Sequence, residues 1–71
     1  MNRYLIVIEK TETGCSAYSP DIPGCVASGG SRAEVELEMK AAIAFHLEGL
    51  REYGEAIPQP SSEAVYCELA G

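Results

Sequence analysis

One histidine, His46, and three cysteines, Cys15, Cys25 and Cys67, are the side chains of this 71-residue sequence best suited to nucleophilic, general-base or soft-metal chemistry. Zinc wants Cys or His in pairs at short spacing. A disulfide framework wants an even number of cysteines in a secreted chain. A general base needs a nucleophile and an orienting group within reach. The three cysteines share no short spacing, His46 has no HxxxH partner, and no GxSxG or phosphate-loop pattern is present. The cysteines read as small buried thiols in a reducing compartment, with a single bridge as the alternative. His46 reads as a half-buried helix residue bonded to backbone or to a sheet residue. Gly29-Gly30-Ser31 precedes a helix N-terminus, where anions can bind, yet a strand exit followed by an N-cap explains it. The expectation is a non-enzymatic protein with no cofactor and no metal.

Charge narrows the class of partner. Eleven carboxylates stand against five Lys or Arg, a formal charge of −6. The cations Arg3, Lys10, Arg32, Lys40 and Arg51 are scattered and too few to displace counterions from phosphate. Direct nucleic-acid contact by this chain alone is therefore not expected. The acidity suits solubility or attraction to a basic protein. The apolar run Tyr4-Leu5-Ile6-Val7-Ile8 is too short for a signal-peptide core or a bilayer span, so a cytoplasmic protein away from membranes is expected.

The elements that must position any site follow from pattern. The apolar share of 46%, with one Phe and no Trp, describes a single small folded domain over residues 1–71 with an aliphatic core. Residues 4–9 are β-branched and aromatic and read as a strand. Thr11-Glu12-Thr13-Gly14 is a hairpin turn in which Gly14 supplies a positive φ. Residues 15–19 form the return strand and residues 25–28 a short third one. Between them, in Pro20-Asp21-Ile22-Pro23-Gly24, Asp21 can close an Asx-turn, Pro23 fixes the next turn and Gly24 tolerates positive φ.

Ser31-Arg32-Ala33-Glu34 is a capping box, and Gly54 sits where a left-handed residue ends a helix. The helix between them is about 22 residues, roughly 33 Å long. Its apolar stripe is Val35, Met39, Ala42, Ile43, Leu50 and Tyr53, with His46 and Leu47 inside or beside it. After Pro58-Gln59-Pro60-Ser61-Ser62, residues 64–69 alternate Val65, Cys67 and Leu69 with Ala64, Tyr66 and Glu68, which reads as a last strand.

Strand, strand, strand, helix, strand gives a two-layer α+β domain, βββαβ. One long helix packs on a mostly antiparallel four-stranded sheet of order 3-2-1-4, the last strand parallel to the first. Such a helix overhangs strands of about 20 Å. Leu50, Tyr53 and Ile57 near its end then need cover, and self-association into a homodimer or higher homo-oligomer supplies it. On the helix's solvent side Glu34, Glu38, Ala41, Phe45, Glu48 and Glu52 fall in one line. The plain reading is a solvated face; the sharper one is an acidic docking face with a central aromatic, since Phe45 has no place on a purely solvating surface. Tyr18, Asp21 and Pro23 form a second candidate surface, because rigid loops present ordered contacts at low entropic cost.

With these elements placed, the chain resembles the HicB-like antitoxin family. The resemblance is carried by Ala17-Tyr18-Ser19-Pro20-Asp21-Ile22-Pro23-Gly24-Cys25, by the Gly-Ser entry to the helix, by Ala42-Ile43 through His46-Leu47-Glu48, and by Gly54-Glu55-Ala56-Ile57-Pro58-Gln59-Pro60. It implies a fold like a truncated ribonuclease H without the metal-binding carboxylates. It also implies an antitoxin that covers the active surface of a small, basic, mRNA-cleaving HicA-like toxin. Many members add a C-terminal DNA-binding domain; the sequence stops at Gly71, so a short form is expected. Two other classes stay open. One is an orphan regulatory or scaffolding domain of the same fold with another protein partner. The other is a residual nuclease using His46 and a metal, for which the ligand set is missing.

Overall fold

The computed structural model describes residues 3–71. Three strands, β1 (Val7–Lys10), β2 (Cys15–Tyr18) and β3 (Val26–Gly29), precede one helix, α1 (Arg32–Glu52). The strands form an antiparallel sheet in the order β1-β2-β3, with Ile8 opposite Ala17 and Ala17 opposite Ala27. Helix α1 lies mainly over β3 and β2 and touches β1 least.

The first hairpin closes at Thr11 to Gly14. Thr11 N–H donates to the Gly14 carbonyl at 2.9 Å, and Gly14 N–H donates to the Thr11 hydroxyl at 3.0 Å. Gly14 does not have the positive φ expected of it. Its glycine is required by crowding instead: a Cβ there would collide with the Gly29 carbonyl oxygen. Gly24 and Gly54 do adopt positive φ, at 82° and 70°.

Ser31 caps α1 as read from the sequence, its hydroxyl accepting from Glu34 N–H at 3.2 Å. The Glu34 carboxylate lies over Gly29, where a Cβ would stand 2.9 Å from Oε1. At the other end, Glu55 N–H donates to the Leu50 carbonyl (2.8 Å) and Gly54 N–H to Arg51 (3.1 Å). That nested pair is the left-handed glycine stop that Gly54 announced.

The core is a seam of Val35, Met39 and Ile43, spaced by four along α1, packed on Ala17 of β2 and on Ile22 and Cys25. Ile22, Met39 and Val35 are fully buried, each adding about 1.5–3 kcal/mol as an upper figure. Tyr4, Ile6 and Ile8 pack on this core only half-buried, as do Ala42 and Leu47.

The α+β class and the strand–strand–strand–helix order hold, but the four-stranded sheet does not. Residues 53–71 contain no strand, and the order is 3-2-1 without a fourth member. Residues 64–69 carry the alternation of a strand, yet Val65, Tyr66 and Leu69 are 93%, 99% and 86% exposed. Periodicity shows which side chains need cover, not which surface provides it. Cys67 is consequently exposed and not the buried thiol expected, whereas Cys25 is buried and Cys15 half-buried; all three are free. Burial pushes the Cys25 thiol pKa up.

Candidate partner-binding surfaces

Three surfaces surround this small core. The first is the outer side of α1. Glu34, Glu38, Phe45, Glu48 and Glu52 are all exposed, and Phe45 is 81% exposed at the middle of the line. At 100° per residue this line falls across the helix from the buried seam. Leu37, which the sequence reading passed over, is also exposed beside it. Among the described residues one ion pair forms, Lys40 with Glu36 at 3.8 Å, on a different row of α1 and itself exposed. Such a pair contributes little.

The second surface is the loop between β2 and β3. Two successive turns shape it, Ile22 N–H donating to Ser19 and Cys25 N–H to Ile22, both at 3.2 Å. They drive Ile22 into the core. Tyr18 and Pro23 remain exposed. Asp21 makes no Asx-turn. Its carboxylate accepts from Ser61 and Ser62, from the backbone N–H (3.1 Å each) and from the hydroxyls (3.1 and 2.8 Å). The Ser62 backbone bond is the main reason the Asp21 pKa lies below its ordinary value, and the Ser62 hydroxyl is the second; desolvation opposes them, and the Ser61 bonds add smaller lowering effects. Asp21 is thus half-buried and engaged by the segment that follows the helix.

The third surface is an open groove of about 780 Å³ beside β1. It is walled by Tyr4, Ile6 and Ile8 on one side and by Arg32, Glu36 and Lys40 of α1 on the other. Arg3 and residues 60–64 complete it. Tyr4 also donates its hydroxyl to the Pro58 carbonyl at 2.5 Å. The expected self-association residues are divided: Leu50 and Ile57 are half-buried and Tyr53 is exposed. His46 is half-buried on α1. Among the described residues no three His, Cys, Asp or Glu converge as a metal site, and no helix is long and apolar enough to cross a membrane.

Comparison with known proteins gives this arrangement a family. Residues 4–69 match the family described as the HicB_like antitoxin of bacterial toxin-antitoxin systems. The chain belongs to the HicB-like antitoxin family. An uncharacterized 14.9 kDa protein from the rep-hol intergenic region of Haemophilus phage HP1 (strain HP1c1) is 43% identical over 63 residues. That match covers 89% of this chain but 47% of the phage protein, so the HicB-like chain spans about half the length of that relative. A UPF0150 protein of Thermoplasma acidophilum is 31% identical over 64 residues, 89% of this chain and 93% of its own. Among solved structures, a chain of a HicA3 and HicB3 toxin-antitoxin complex matches with a TM-score of 0.67 at 34% identity, over 83% of this chain and 72% of that one.

Sequence reasoning about this HicB-like domain missed the partners of Asp21 and the gathering of Arg3, Arg32 and Lys40 around one groove. Asp21 meets Ser61 and Ser62 across 40 and 41 positions, and Tyr4 meets Pro58 across 54. No local spacing encodes contacts of that range.

Proposed function

We propose that the chain is the antitoxin partner of a small basic HicA-like toxin and silences it by covering its RNA-cleaving surface, without catalysis of its own. The observation that carries this reading is the likeness to a chain of a toxin-antitoxin complex. The exposed line of Glu34, Glu38, Phe45, Glu48 and Glu52 supports α1 as the docking face. Carboxylates without a cation among them steer a basic protein, and Phe45 offers one apolar anchor.

The test is binding kinetics against a HicA-like toxin, at two ionic strengths, with RNA cleavage by that toxin as the second readout. Reversing Glu38, Glu48 and Glu52 together to lysine slows association by more than about tenfold at low salt. Phe45→Ala raises the off-rate about 30-fold, as an interface anchor of about 2 kcal/mol would. Unchanged rates in both variants, with the fold intact by circular dichroism, would move the docking face to the loop bearing Tyr18, Asp21 and Pro23. Absence of binding together with undiminished RNA cleavage would remove the antitoxin reading itself.

A further inference from the structure

Helix α1 is apolar on two sides. Val35, Met39 and Ile43 form its buried seam. Leu37, Ala41 and Ala44 point the other way, within about 40° of the direction opposite that seam at 100° per residue, and all three are exposed. Leu37 is 69% exposed, and Phe45, beside this stripe, 81%. Steps of four and then three along Leu37, Ala41 and Ala44 are the spacing of a helix-packing seam. A solvated face calls for polar side chains here and has instead two large apolar ones with alanines between them.

We propose that this second seam receives an amphipathic helix of the basic toxin, laid along Leu37, Ala41, Ala44 and Phe45, with its Lys or Arg side chains toward Glu34, Glu38 and Glu52. The inference rests on the toxin reading and names the element that the toxin presents.

Shape selects a helix. Leu37 and Phe45 stand eight residues apart, roughly 12 Å along the axis, and Ala41 and Ala44 leave a shallow saddle between them. Helix axes pack about 8–10 Å apart, and the short end of that range needs small side chains at the contact. A strand docks through backbone groups at a sheet edge, whereas the backbone of α1 is bonded within its own helix.

Charge selects a basic partner over a second copy of this chain. Glu34, Glu38 and Glu52 line one flank of the seam and Glu48 stands within it, all exposed. None of the four is in an ion pair among the described residues, while on the opposite flank Lys40 is already held by Glu36. An antiparallel copy would set Glu34 against Glu52 and Glu38 against Glu48, since both pairs are centred on Ile43. A parallel copy would set Glu48 against Glu48. Either arrangement brings like charges together, which costs affinity. A helix with basic residues along one edge meets no such conflict, and Glu48 selects for a cation near the middle of the contact.

Two measurements on the full chain with a HicA-like toxin test this. One is the Kd by calorimetry. The other is NMR of a complex in which only this chain carries labelled alanine methyls. The Ala41 and Ala44 methyls are expected to contact toxin residues with helical chemical shifts. Ala41→Trp fills the saddle and weakens binding about 30-fold or more, and Leu37→Ala weakens it about tenfold. Ser28→Trp, an exposed position on the sheet face away from α1, leaves binding unchanged. Circular dichroism establishes that each variant is folded. Methyl contacts to strand or loop residues of the toxin overturn the inference, as does binding that Ala41→Trp leaves unaltered; the toxin reading survives both results. No binding by the unaltered chain overturns the two together.

Discussion

The loop between β2 and β3 and the tail after Ser62 are both irregular, yet they stand at opposite ends of the burial scale. The loop contributes Ile22 and Cys25 to the core and Asp21 to a four-bond anchor. The tail contributes Glu63 and Ala64 to the wall of the groove beside β1 and exposes three large apolar side chains. By sequence the ranking would be reversed, because the tail has strand periodicity and the loop has two prolines. The difference teaches that an irregular segment can be structural where turns aim a side chain inward, and a periodic one idle where no surface receives it.

Truncations applied to both segments break or sharpen that contrast. Ile22→Ala destabilises the domain by about 2–5 kcal/mol, as expected for a fully buried aliphatic; thermal and urea unfolding measure it. A loss no larger than that of Leu69→Ala would erase the distinction. Ser19 is buried, and its hydroxyl has no hydrogen-bond partner among the described residues. Ser19→Ala therefore raises stability by up to about 1 kcal/mol, read as a higher unfolding midpoint.

The anchor between the segments answers to pH. The carboxylate of Asp21 is held below its ordinary value of 3.8 by bonds to Ser62 and Ser61. Its contribution is complete above that value and is lost as pH falls through the depressed folded pKa. Amide exchange at Ser61 and Ser62 should therefore rise, relative to other amides, as the solution is acidified. Asp21→Asn should show the same relative rise already at neutral pH. Smallest of all, Val65→Ser shifts the stability of the domain by no more than about 0.5 kcal/mol, read from its unfolding midpoint.

What could be read beforehand divides along the same line. Ser31, Glu34 and Gly54 announced both ends of α1, and Val35, Met39 and Ile43 announced its buried seam, because caps and helical period act within a few residues. The three strands came out within about three residues of their expected ends, as turn formers bracket them. The acidic line with Phe45 was also legible, since a helix fixes which side chains share a side. Ile22 was not, because the turns that aim it inward give no periodic signal. Nor was the exposure of residues 64–69, since alternation does not show which surface will cover the side chains.

The bond from Tyr4 to Pro58 orders events during synthesis. Its acceptor is made 54 residues after its donor, about 3–10 s later at ordinary elongation rates. Hairpins form in microseconds, so the pairing of β1 with β2 in a nascent chain can precede its clamp by seconds, whereas α1 is completed only six residues before Pro58.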